Sequence, residues 1–249
     1  MKNLFAICLV MCTLAVHAQH REKRNLSDFQ GIAVSSGIDA TFNKSSENSA
    51  TIDVENPEVA SKLDVSVRNG ILYLRVKPNS QINHRGKLRI TINGKKDINR
   101  IKLSSAGRLE IASPLRVGTL TADVSSSAKL TTTAIQADEV TLDVSSSGSI
   151  AAQVEAENLT ASISSSAKLR LSGKARTIDL RAASAGKGDF REFRTSQAKV
   201  SVKSAAAVEL QVSDTLNAHA SSGGSLRYWG SPATPNLKES SGGRIQHKS

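Results

Sequence analysis

Asp143-Val144-Ser145-Ser146-Ser147-Gly148-Ser149-Ile150 decides how this chain is read, because versions of it recur on both sides at a nearly fixed interval. Leu103-Ser104-Ser105-Ala106-Gly107-Arg108-Leu109 and Val124-Ser125-Ser126-Ser127-Ala128-Lys129-Leu130 stand upstream. Ile163-Ser164-Ser165-Ser166-Ala167-Lys168-Leu169 follows, with weaker copies starting at Ala182, Val202, Ala220 and Glu239. A unit of about 20 residues, built from short alternating apolar runs and small turn residues, is the signature of a solenoid in which each unit is one coil. Within Val140-Thr141-Leu142-Asp143-Val144-Ser145 apolar and polar side chains alternate with period two, which is strand periodicity. One coil cannot bury its inward row alone, but stacked coils can, their equivalent residues pairing as parallel strands about 4.8 Å apart. The expected fold is therefore all-β: a single-stranded parallel β-helix, right-handed as parallel crossovers generally are. Leu120, Leu142, Leu159, Ile178, Val200 and Leu216 are expected inside it.

The amino terminus reads as an export signal over residues 1–18. Lys2 supplies a positive start, Leu4 to Val16 is apolar but too short to span a bilayer, and Val16-His17-Ala18 is a small-residue cleavage site. Both cysteines, Cys8 and Cys12, lie inside that segment, so the exported product would hold no disulfide, thiolate metal site or cysteine nucleophile. Met11 before Cys12 and Ile7 before Cys8 argue against lipidation, and no later stretch is apolar enough to cross a membrane. The net charge of +11 favours anionic partners, such as an acidic glycan. Aromatics at 3% argue against single-stranded nucleic acid, which is gripped by stacking.

Residues 19–28 read as a polar linker and residues 29–249 as one domain. Its part over 29–102 is less regular and opens or caps the stack, while 103–245 holds the regular Ser-rich repeats. Asn69-Gly70 between Val65 to Arg68 and Ile71 to Val76 is a hairpin signal, since both turn positions require positive φ. Pro57 to Leu63 suits a short helix. Trp229 is expected to pack over the last coils.

An opening Phe-x-Gly-Ile-x-Val-Ser-Ser-Gly-Ile-Asp (Phe29 to Asp39), the Asn69-Gly70-Ile71-Leu72 hairpin, the Ser-Ser-Gly or Ser-Ser-Ala ladders, and Tyr228-Trp229-Gly230-Ser231-Pro232 before Ser240-Ser241-Gly242-Gly243 occur in this order. Together they resemble the head GIN domain of autotransporter adhesins, the DUF2807-type family, over roughly Phe29 to Ile245. The resemblance implies a β-helix related in shape to pectin-lyase-like proteins, exported mainly by Bacteroidetes-type bacteria. It also implies a cell-adhesion role with no established catalytic centre. Ala128, Ala167 and Ala206 depart from the glycine-rich form of the ladder.

If the copies stack, Ser126, Ser146, Ser165, Ser184, Ser204 and Ser222 form one row at the corners. Small residues are required where the coil bends, and serine there is expected to satisfy local backbone groups. As a surface, the row is a polar strip able to hydrogen-bond a glycan. Just after each corner the same alignment stacks Lys129, Lys168 and Lys187, with Arg108 and Arg244 further along. Ser126, Ser146, Ser165, Lys129, Lys168 and Lys187 are accordingly the candidate ligand-binding residues. Asp123 and Asp143 fall on successive coils, as a glycosidase pair would, but their column continues with Ser162, Arg181, Ser201, His219 and Lys238, the mixed charge of an exposed face. His20, His84, His219 and His247 lack ligand-like spacing, and no nucleophile elbow or phosphate loop is present, so neither cofactor, metal nor catalytic residue is expected. The function read from the sequence is a non-enzymatic adhesion or binding module of the cell envelope, with a surface glycan or envelope protein as partner. A polysaccharide-acting β-helix enzyme and an envelope scaffold are the alternatives.

Overall fold

The computed structural model describes residues 20–82, 86 and 88–249; the expected export signal and His84 lie outside them. From the amino-terminal end the chain forms β1 (His20–Asn25), β2 (Gly31–Val34), β3 (Asp39–Lys44), β4 (Ser49–Val54), the short helix α1 (Pro57–Ser61), β5 (Leu63–Arg68), β6 (Ile71–Val76) and β7 (Arg89–Gly94). It continues through β8 (Arg100–Leu103), β9 (Arg108–Ile111), β10 (Leu115–Val124), β11 (Lys129–Val144), β12 (Ser149–Ile163), β13 (Lys168–Ala182) and β14 (Lys187–Val202). The last strands are β15 (Ala207–Ala220), β16 (Ser225–Trp229), β17 (Asn236–Glu239) and β18 (Arg244–His247).

From β8 onward each coil pairs in parallel with the next, as the period-two alternation requires. β11 meets β12 from Lys129 opposite Ser149 to Val144 opposite Ile163, with one irregularity between Thr132 and Ile135. The result is a β-solenoid of about 7 turns, about 20 residues apart. All six residues expected inside are buried, but in two columns. Leu120, Val140, Leu159, Ile178, Ala198 and Leu216 are successive register partners, and Ala122, Leu142, Ala161, Leu180, Val200 and Ala218 form the adjoining column. Leu142 and Val200 belong to the second, since every coil sends two inward residues into the interior, two positions apart.

Two of the large side chains of this interior lie beside glycines. Phe190 is fully buried, and a Cβ on Gly188 would lie 2.7 Å from its ring. Phe193, equally buried, is the register partner of Gly173. The two phenylalanine rings meet edge-on, 6.2 Å apart.

The amino-terminal end departs from a simple spiral. β2 pairs with both β6 and β8, and β3 with both β7 and β9, all in parallel. The coil of β2 and β3 is therefore enclosed between the coil formed later by β6 and β7 and the first regular coil. Outside it, β5 runs antiparallel to β6, and β4 antiparallel to β7. The hairpin between β5 and β6 turns at Asn69 and Gly70 with φ of 51° and 72°. Asn56 caps α1, its side chain accepting the Val59 amide.

Two local expectations are corrected. His20–Asn25, read as linker because of its polarity, is an edge strand antiparallel to β4, where Arg21 pairs with Asp53 at 2.9 Å; Lys23 reaches Glu47 at 2.7 Å. Its charges serve cross-strand pairing, which composition alone does not distinguish from solvation. At the other end it is Tyr228 that is buried, stacked on His247, whereas Trp229 is half-exposed on the outward face of β16.

Candidate functional site

Each regular corner is a four-residue turn. From Ser125 to Ala128, the Ala128 amide donates to the Ser125 carbonyl at 3.0 Å, with Ser126 and Ser127 at φ 51° and 61°. Two successive positive φ values define the turn that ordinarily takes Asn-Gly, and each such non-glycine residue carries roughly 1 kcal/mol or more of strain. Ser146-Ser147, Ser165-Ser166, Ser184-Ala185 and Ser204-Ala205 repeat it. The neighbouring coil holds the strain in place. The Ser127 amide donates to the Ser146 carbonyl, that of Ser147 to Ser165, and that of Ser166 to Ser184, each at 3.0 Å. A small residue must close the turn: a Cβ on Gly148 would lie 2.5 Å from the Val124 carbonyl oxygen, and the same column elsewhere holds the buried Ala128 and Ala167.

This geometry corrects the role expected of the serines. Backbone satisfies backbone through the corners, and the exposed Ser126, Ser146 and Ser165 side chains have no intramolecular hydrogen-bond partner among the described residues. Their hydroxyls are presented outward, one per rung.

Immediately after each corner, Lys129 faces Ser149, Ser149 faces Lys168, and Lys168 faces Lys187. The three exposed lysines thus share one outward column beside the serine column. They line a shallow groove of about 640 Å³ together with Ser149, which stands between Lys129 and Lys168, and Ala151, which stands beside Arg170. The far side of the groove is charged too, but balanced. Arg170, Asp189, Glu209 and Arg227 are consecutive register partners. Arg170 lies 3.8 Å from Asp189 and Arg227 lies 3.2 Å from Glu209, while Arg191 joins both acids at 2.9 and 3.2 Å. Hydrogen bonds from the Arg191 side chain hold the Asp189 carboxyl below its ordinary range, outweighing the opposing effect of partial burial. Lys129, Lys168 and Lys187 form no ion pair among the described residues, so the uncompensated charge of the groove is theirs. Sequence reasoning missed the balanced side. Its available signal was the two acids between two arginines at positions 170, 189, 209 and 227, two residues past the lysine column.

Asp123 and Asp143 are register partners, both exposed, and the pairing carries their column on through Ser162 and Arg181. Neither lines the groove. Histidines stay apart: His20 lies 3.9 Å from Glu22, and His247 contacts the Gly230 carbonyl at 2.7 Å. Among the described residues no three His, Cys, Asp or Glu side chains gather as metal ligands.

Residues 28–232 match the family described as "Putative auto-transporter adhesin, head GIN domain", DUF2807. Three solved structures share the architecture. A "putative adhesin" from Parabacteroides merdae ATCC 43184 superposes with TM-score 0.85 at 19% identity, covering 93% of this chain and 96% of that one. A "putative adhesin" from Parabacteroides distasonis ATCC 8503 gives 0.85 at 19%, covering 94% and 98%. A "putative lipid binding protein" from the same strain gives 0.81 at 18%, covering 93% and 97%. At these identities the likeness carries the fold. No curated protein matches the chain.

Proposed function

The chain belongs to the auto-transporter adhesin head GIN domain family, and from that premise we propose that it is an exported, non-enzymatic adhesion module whose serine and lysine strip holds an acidic glycan. The observation that carries this reading is the register that sets Ser126, Ser146 and Ser165 beside Lys129, Lys168 and Lys187 with no carboxylate to balance the lysines. A glycan presents hydroxyls and anions at repeating intervals along its length. The strip presents a serine hydroxyl on each rung, about 4.8 Å apart as hydrogen-bonded strands are, and cations on three of four successive rungs, with Ser149 between Lys129 and Lys168. A bound anion also relieves the repulsion between Lys168 and Lys187, so binding gains from a strain built into the free protein.

The family name and those of the neighbours support attachment rather than turnover, and an envelope or surface location. Among the described residues no helix is long and apolar enough to cross a membrane.

The test replaces Lys129, Lys168 and Lys187 together by glutamate. Retention on a heparin-like matrix should be abolished while the strand signature in far-ultraviolet circular dichroism is kept. Unchanged retention of a folded triple variant would falsify the proposal.

A further inference from the structure

At the second corner of the coils, away from the serine turns, lies another hollow of about 660 Å³. It runs across successive coils from Ala156 to Ser231, and the coils differ in length beside it. Phe190 faces Leu210, but the next pair is Arg194 with Gln211, so residues 191–193 of β14 have no counterpart in the shorter coil below. The floor is a column of small side chains, with Ala156, Ala175, Thr195 and Val212 as successive register partners. One wall is the column Lys174, Arg194 and Gln211, which continues at the next rung as Trp229. Gly230, immediately after Trp229, closes the end of the hollow.

The charges are unequal. Arg176 is neutralised by Glu157 at 2.9 Å, and Lys174 lies at 4.0 Å from Glu155. Arg194 pairs with no carboxylate among the described residues, although its register partner Lys174 is itself a cation. Two adjacent cations and an amide on one wall, above a floor of small side chains, form a chemically ordered surface, and the partly buried indole of Trp229 stands on the next rung of that column, at the rim beside Gly230. Cations take a carboxylate, with Arg194 able to do so through two parallel N–H donors. Gln211 offers both a donor and an acceptor to ring hydroxyls. Trp229 offers a flat apolar face to the C–H face of a sugar ring. The hollow falls within the roughly 300 to 1,000 Å³ of small-molecule sites.

We propose that this hollow is a separate subsite for a single uronic acid residue, its carboxylate on Arg194 and Lys174 and its ring toward Trp229. The subsite is independent of the serine and lysine strip and stands or falls separately from it.

Trp229 is the one tryptophan of the chain, so its fluorescence reports on this corner alone. Glucuronate and galacturonate should each give saturable binding heat in calorimetry together with a saturable change in emission. Glucose and acetate, carrying the ring or the carboxylate alone, should bind at least about 10-fold more weakly, since one set of contacts is lost. Lys174→Gln combined with Arg194→Gln should weaken uronate binding by about 10-fold or more, and Arg194→Lys should keep part of it. The triple lysine variant of the other face should titrate like the parent. Absence of binding heat and emission change with both uronates overturns the proposal. So does an undiminished response in the doubly substituted protein, or an equal response to glucose.

Discussion

Replacing Lys187 by glutamine should move stability and glycan binding in opposite directions. Lys168 and Lys187 are register partners on adjacent rungs, with their backbones about 4.8 Å apart. Two unit charges about 5 Å apart repel by about 0.8 kcal/mol in bulk water. Splayed side-chain stems and about 0.15 M salt reduce this further. Removing one charge should therefore raise the unfolding free energy by a few tenths of a kcal/mol, at most about 0.8. Urea unfolding followed by circular dichroism measures this as a higher midpoint at unchanged slope. On the heparin-like matrix the same variant should elute at lower salt, because a cation of the groove is gone. Lys199→Gln is the control: it makes the same change in net charge, but at a rung facing Asp179 and outside the groove. If Lys187→Gln and Lys199→Gln elute together, the lysine column is only a solvated face and the reasoning fails. A midpoint lowered by Lys187→Gln would refute the electrostatic part.

Two further outcomes follow from single side chains. Thr132 Oγ1 is buried without a hydrogen-bond partner among the described residues, at the irregularity in β11, so Thr132→Val should raise the unfolding free energy by about 1 kcal/mol in the same urea assay. Asp64 is partly buried, which opposes its ionisation, but hydrogen bonds from Ser66 and Arg75 and the charges of Arg68 and Arg75 outweigh burial and hold its carboxyl below the ordinary 3.8. Because the folded state lowers this pKa, the associated stability is fully present above about pH 4 and is lost as pH falls through the lowered value. Asp64→Asn should reduce stability at pH 7 by about 1 to 2 kcal/mol and flatten the acid limb, as read from unfolding midpoints between pH 7 and 2.

The period of the copies by itself determined the coil, and the alternation within them determined which residues point inward, because a strand has no other way to bury one face than every second residue. The small residues Ser126, Ser146 and Gly148 likewise marked the corners, since sterics at positive φ and beside the preceding coil's carbonyl exclude larger ones. The lysine column was legible for the same reason: equal spacing implies shared register. Only the tertiary structure decided what depends on contacts between distant segments. The enclosure of β2 and β3 between two coils that both come later in the chain is a choice among equivalent strand edges, and local pattern carries no preference among them. β1 became a strand because β4 offered it an edge with Asp53 on it, and the turn before β4 offered Glu47. The second hollow gathers Lys174, Arg194 and Gln211 from three coils, and their meeting depends on a register that shifts by three residues between β14 and β15, which is set only when the two coils lie against each other.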